Sequence, residues 1–130
     1  MTTDLFYLTL SAVLAALLWM PYILSTVFMQ GVPTPAEYKG PMTREHPIWW
    51  ARLKRCHENM LEAFAPFAAL ALVAHLTETA NATTATAAMV FFWARVAHFV
   101  VYALGVPYGR TIAFAVGWLA TIVIAVQILT

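Results

Sequence analysis

Charge and cysteine are both scarce in this sequence. Only 10% of its 130 residues are charged and 62% are hydrophobic, whereas soluble domains carry about 25% charged residues. The single cysteine, Cys56, excludes an internal disulfide framework and a cysteine-rich metal site. The formal net charge of +1 gives no reason to expect a nucleic-acid partner. We therefore expect an integral membrane protein with no metal centre.

Four apolar segments are long enough to cross a bilayer core, which needs about 20 helical residues. The sequence predicts helices over 4–29, 47–76, 83–104 and 109–130, and one long loop over 30–46. The expected fold is an all-α, four-transmembrane-helix bundle that forms a single domain over 1–130.

Two local features of these helices can also be predicted. Pro21 lies inside the first apolar segment, where we expect it to kink the helix without ending it. The threonines of "NATTATAA" are expected to cap the third helix.

Basic residues predict the orientation of the bundle. Five of them lie in the first connection or at the start of the second helix: Lys39, Arg44, Arg52, Lys54 and Arg55. Arg110 lies in the third connection, and the second connection, "TETANATT", has none. By the positive-inside rule, the first and third connections face the cytoplasm and both termini face the other side. A bacterial inner membrane is the expected location.

Polar residues form one stripe on each of the two middle helices. At about 100° per residue, one arc of roughly 80° on the second helix holds Arg52, Arg55, Asn59, Glu62 and Pro66. An arc of roughly 60° on the third helix holds Arg95, His98 and Tyr102. Cys56 lies off the first stripe and is expected to be a buried or lipid-facing thiol.

The depths of the two stripes are compatible with one shared cavity. At 1.5 Å per residue, Glu62 lies about 10 Å beyond Arg55, and Arg95 about 15 Å from Gly105. An uncompensated charge at membrane depth costs roughly 3 kcal/mol. We expect Glu62 and Arg95 to face each other, another polar group or water. The same residues could instead be a polar staple that joins two helices, at about 1 kcal/mol per bond.

Three stretches resemble the MAPEG family, the membrane-associated proteins in eicosanoid and glutathione metabolism. "RCHENMLEAFAPF" is similar to the helix-II signature of that family, and "RVAHFVVYALG" to its helix-III signature. "PYGRT" resembles the stretch where the family keeps an arginine, often followed by a hydroxyl residue. The resemblance covers nearly the whole chain.

This resemblance implies a homotrimer with glutathione sites at the subunit interfaces. The implied glutathione-binding residues are Arg52, Arg55, His57, Asn59, Glu62, Arg95, His98 and Tyr102. Glu62 would accept a hydrogen bond from the amino group of glutathione, and His57, about 200° from Arg55 on the helix, would contact the neighbouring subunit's site. Arg110 and Thr111 would hold the reactive thiolate.

The implied function is that of a glutathione-dependent membrane transferase or peroxidase. It would act on small lipophilic electrophiles or lipid hydroperoxides. Two departures from the family pattern leave an alternative open. "WMPYILSTVFMQG" lacks the basic residue that the family often has near the end of helix I, and Ala63 replaces the usual Asn or Tyr. The alternative is a non-catalytic trimeric accessory or lipid-binding protein that keeps its polar cavity as a staple.

Overall fold

The computed structural model describes residues 1–41 and 43–130. Met42, which falls within the predicted loop, lies outside the described residues. The helices are α1 (Thr3–Leu17), α2 (Met20–Gln30), α3 (Pro35–Tyr38), α4 (Ile48–Leu76), α5 (Ala82–Ala103) and α6 (Gly109–Leu129). Four segments are long and apolar enough to cross a membrane, namely Thr3–Gln30, α4, α5 and α6. The predicted all-α fold with four membrane-length helices is confirmed.

Pro21 divides the first of these segments. α1 ends at Leu17, and Pro21 lies in the first turn of α2. Proline has no N–H, so the carbonyl of Leu17, four residues earlier, loses its helical donor and is crowded by the ring. We expected a kink without an end, but the regular helix breaks at Leu18 and Trp19. Both residues keep right-handed backbone angles, so the break is short.

Hydrogen bonds join α2 to the first turns of α4. The indole N–H of Trp50 lies 3.0 Å from the carbonyl of Tyr22 and 2.8 Å from the hydroxyl of Thr26, and donates to both. The hydroxyl of Tyr22 lies 2.7 Å from Nδ1 of His57. These contacts fix the second half of the first segment against the helix that carries the first polar stripe.

An ion pair closes the long connection, where the sequence predicted only a loop. Nε of Arg44 donates to Glu37 at 2.6 Å, and Nη1 of Arg44 donates to the carbonyl of Gly31 at 2.8 Å. Glu37 belongs to the short helix α3, which Thr34 caps. The hydrogen bond from the Arg44 guanidinium lowers the pKa of the Glu37 carboxyl to about 2.

Asn81 starts α5, although we expected a threonine to do so. Its side-chain oxygen accepts from the backbone N–H groups of Thr83 and Thr84, at 2.8 and 3.1 Å. The hydroxyl of Thr84 in turn accepts from the N–H of Asn81 at 2.8 Å. The asparagine oxygen accepts from two of the unpaired N–H groups at the helix start. Asn81 is therefore the N-cap residue, and Thr84 completes the cap.

The core is centred on α4 and α5. Phe67 and Phe91 are fully buried, and their rings stack with centroids 3.8 Å apart at 8°. Ala15 of α1 and Ile124 of α6 pack into the same cluster. α6 also approaches α5 closely at Gly117, where an added Cβ would lie 3.6 Å from Cβ of Ala94. This packing brings the polar faces of α4, α5 and α6 to one side.

Candidate functional site

The two polar stripes meet at Arg95 and Asn59. Nη2 of Arg95 donates to Oδ1 of Asn59 at 2.8 Å, which joins α5 to α4. Nδ1 of His98 lies 3.4 Å from the same nitrogen. Arg95 and His98 are 2% and 3% exposed. A buried guanidinium is stable only when acceptors surround it, and Asn59 supplies the shortest of these contacts.

A polar cavity of about 370 Å³ opens beside this contact. We call it the polar cavity; its lining is Arg55, Asn59, His98, Tyr102, Arg110, Thr111 and Phe114. Nη1 of Arg110 donates to the hydroxyl of Tyr102 at 3.0 Å, and its guanidinium carbon lies 5.0 Å from the centre of that ring. The polar cavity therefore brings together six of the site residues predicted from the sequence.

A smaller cavity of about 170 Å³ lies next to it and shares Phe114. This inner cavity has a charged side chain from each stripe, Glu62 and Arg95, within largely apolar walls. Its remaining lining residues are Ala63, Pro66, Phe91, Phe114, Gly117, Trp118 and Thr121. Nε of Arg95 is buried and has no hydrogen-bond partner among the described residues. An N–H in that state favours a ligand that can accept a hydrogen bond.

The contribution of α6 to the inner cavity was missed in the sequence. Phe114, Trp118 and Thr121 line it from α6. They follow Thr111 at spacings of three, four and three residues, which is the period of one helix face. That spacing was a usable signal, because Thr111 was already a candidate site residue.

Glu62 pairs with its own helix and not with Arg95. Its Oε1 lies 3.4 Å from Nη1 of Arg55, and its side chain is 62% exposed in the single chain. Arg55 also lies 3.5 Å from Glu58. The charged face of α4, formed by Arg55, Glu58 and Glu62, is thus open on the surface of this chain.

Arg52 and His57 lie away from the polar cavity. Arg52 lines a third cavity of about 400 Å³, here called the outer cavity, which shares Tyr102, Arg110 and Thr111 with the polar cavity. His57 is half-buried and contacts Tyr22. The predicted contacts of these two residues with glutathione stay predictions.

Cys56 is 1% exposed, in keeping with its place off the polar stripe. Across residues 1–41 and 43–130, no three His, Cys, Asp or Glu side chains are grouped closely enough to hold a metal ion.

These features define a multi-pass integral membrane protein with a cationic cavity near one end of its helix bundle. A family model described as the MAPEG family matches residues 6–130, so the chain belongs to the MAPEG family. This confirms the resemblance seen in the sequence and relates the chain to membrane proteins of glutathione and eicosanoid metabolism. No curated protein matches the chain significantly.

Proposed function

We propose that this protein is a glutathione-dependent membrane transferase or peroxidase. Its substrates would be small lipophilic electrophiles or lipid hydroperoxides. One observation carries the proposal: Glu62 and the buried Arg95 line the same inner cavity, directly beside a polar cavity that holds two more guanidinium groups. This distribution of charge is complementary to that of glutathione.

Glutathione carries two carboxylates and one ammonium group. Arg55, Arg95 and Arg110 offer three guanidinium groups for the carboxylates and the thiolate, and Glu62 offers an acceptor for the ammonium. The free Nε–H of Arg95 would gain a charge-assisted hydrogen bond from a carboxylate, one of the stronger kinds in proteins. Binding would also compensate a guanidinium that is otherwise held in an apolar setting.

Arg110 and Thr111 are suited to activating the thiol. A free thiol has a pKa near 8.5, and a neighbouring cation favours the thiolate. Both residues lie in the first turn of α6, where the helix dipole also favours negative charge. Tyr102 holds the Arg110 guanidinium at the edge of the polar cavity, so this cation is positioned before any ligand arrives.

The glutathione thiolate would undergo one of two reactions in this site. In conjugation, the sulfur forms a bond to an electrophilic carbon, and the leaving group departs with its electron pair. In peroxide reduction, the sulfur attacks the terminal oxygen of the hydroperoxide and the O–O bond breaks. The sulfur becomes a sulfenic acid, and the departing alkoxide takes a proton. A second glutathione then gives the disulfide and water.

We also propose the homotrimer that the resemblance implies, with sites at the subunit interfaces. The charged face of α4 supports this assembly, because Glu62 lies at the middle of a membrane-length helix and is 62% exposed in one chain. Contact with a second subunit would remove it from lipid. The orientation expected from the basic residues would place the polar cavity near the cytoplasmic side.

The alternative function is that of a non-catalytic membrane protein with a polar staple. The hydrogen bond between Arg95 and Asn59 supports it, because it already joins two helices without any ligand. The last turn of α2 also has no basic residue.

Glutathione binding to the purified protein in detergent separates the two proposals. We expect calorimetry to show binding, ultraviolet absorbance to show thiolate, and a generic aryl halide to be conjugated. Glu62→Gln should weaken binding about 10- to 100-fold, the loss expected for one charge-assisted hydrogen bond, whereas Arg110→Gln should mainly lower turnover. Glu78→Gln and Lys54→Gln are matched controls, because neither residue lines the polar or the inner cavity.

The outcomes distinguish the two functions clearly. No binding at millimolar glutathione would exclude the enzyme. Binding without conjugation or peroxide reduction would favour the accessory protein. Unchanged turnover in Arg110→Gln would remove this arginine from the mechanism.

A further inference from the structure

The outer cavity contains an arginine whose donors are unused. Arg52 has no hydrogen bond or ion pair with the described residues, whereas each of the other four arginines has one. It is half-buried, so its guanidinium is partly removed from solvent. Its N–H groups are therefore available to an anion that accepts hydrogen bonds.

The guanidinium of Arg52 lies against the backbone at Gly105. Gly105 has a φ of +71°, and an added Cβ would lie 2.8 Å from Nη1 of Arg52 and 2.9 Å from its Cζ. Glycine suits this turn because a positive φ is strained for residues with a side chain, and it also leaves room for the guanidinium. The Arg52 guanidinium therefore lies beside the turn that follows α5.

The rest of the outer cavity is also suited to an anion. Arg110 contributes a second guanidinium, Tyr102 and Thr111 carry hydroxyl groups, and no carboxylate is among the lining residues. The cavity has a volume of about 400 Å³, which is ample for a phosphate group. Arginine binds phosphate oxygens through two parallel N–H groups.

Its position is at the ends of the spanning helices. Arg52 is in the second turn of α4, and Gly105 follows the end of α5. Basic pockets between spanning helices at this level bind anionic lipid headgroups. We propose that the outer cavity is a phosphate-binding site centred on Arg52, which adjoins the proposed thiol site at Tyr102, Arg110 and Thr111. It takes the phosphate of an anionic lipid headgroup or a free phosphate ion.

Native mass spectrometry in a neutral detergent tests this proposal with phosphatidylglycerol as the probe. Loss of the Arg52 guanidinium should weaken lipid binding about 10- to 100-fold, so we expect that change for Arg52→Gln. Lys54→Gln is the matched control, because it removes one positive charge from the same helix two residues away and does not line the outer cavity. An equal loss in both variants would overturn the proposal, because it would show only general attraction between charges.

Inorganic phosphate distinguishes the two sources of the anion. Millimolar phosphate that displaces the lipid from the wild-type protein would identify a site for free phosphate. Phosphatidylglycerol that binds through Arg52 and resists phosphate would identify a lipid site. Absence of Arg52-dependent binding of either probe would refute the proposal.

Two controls keep the result interpretable. If Arg52→Gln does not fold, Arg52→Lys keeps the charge but loses the paired N–H geometry, and we expect part of the affinity to remain. No thiol is present, so this experiment can fail while the proposed enzyme stands, and the reverse. In a separate measurement, glutathione binding that Arg52→Gln weakens as much as it weakens lipid binding would assign the outer cavity to the thiol site and contradict the proposal.

Discussion

Removing the acceptor of Arg95 should destabilise the fold more than removing Arg95 and its acceptor together. In Asn59→Leu, the guanidinium loses its 2.8 Å hydrogen bond and keeps only the 3.4 Å contact with His98. Leaving a buried polar group without its partner costs about 1–3 kcal/mol, and more when the group is charged, whereas interhelical hydrogen bonds in membranes average about 0.6 kcal/mol. Because the guanidinium left behind is charged and 2% exposed, we expect Asn59→Leu to lower the free energy of unfolding by about 2–4 kcal/mol.

The double variant Asn59→Leu/Arg95→Met should recover part of that loss. It removes the uncompensated charge and leaves an apolar contact of similar size, so the two changes should be coupled by about 1–3 kcal/mol. The assay is reversible unfolding in mixed micelles, followed by circular dichroism, for the wild type, both single variants and the double variant.

An exposed interhelical hydrogen bond provides the control. Nδ2 of Asn81 donates to Oε1 of Gln127 at 2.8 Å, and Gln127→Leu should cost less than about 1 kcal/mol because water can replace the lost partner. Coupling below about 0.5 kcal/mol between Asn59 and Arg95, within the range for independent sites, would refute the reasoning. It would mean that the guanidinium finds other acceptors when Asn59 is absent.

Two further predictions concern the loop and the core. The folded-state pKa of Glu37 is about 2, below an unfolded value of about 4.3, so its pair with Arg44 stabilises the loop above pH about 4. That contribution should disappear as the pH falls through about 2, with lower amide protection factors around α3, and Glu37→Gln should show low protection factors at every pH. Phe67→Ala should lower the free energy of unfolding by about 3–5 kcal/mol in the same micelle assay, because it removes the ring that stacks on Phe91 and leaves a cavity. A loss below about 1 kcal/mol would contradict a rigid core there.

The number of membrane-length segments was predictable because it depends on apolar length, and the meeting of the two polar stripes because it depends on local periodicity. Apolar length identified four spans, and residue spacing placed Asn59 on one stripe and Arg95 on the other. Periodicity gives the direction of a side chain but not its partner. For this reason the sequence did not show that Glu62 pairs with Arg55 on its own helix, although Arg95 lines the same inner cavity.

Other features depended on geometry that spacing does not contain. The long connection holds a helix because Arg44 reaches back seven residues to Glu37, and no periodic pattern marks such a pair. Arg52 belongs to the first stripe by angle, yet its guanidinium lies in the outer cavity against the turn at Gly105. The approach depends on a backbone angle of +71° at a single residue, which the sequence shows only as a glycine.

The surface of the bundle differs sharply between α4 and α6, and this difference bears on the proposed assembly. α6 exposes large apolar side chains along its length, including Ile112, Leu119 and Val126, as a helix in contact with lipid does. α4 exposes large apolar side chains too, Leu61 and Leu72 among them, but it also exposes Arg55 and Glu62, a charged pair 3.4 Å apart. The pairing lowers the cost of placing these charges at membrane depth, but neither side chain is desolvated by protein within one chain. A second subunit against α4 would complete their surroundings, and the same contact would close the inner cavity on the side where Glu62 lies.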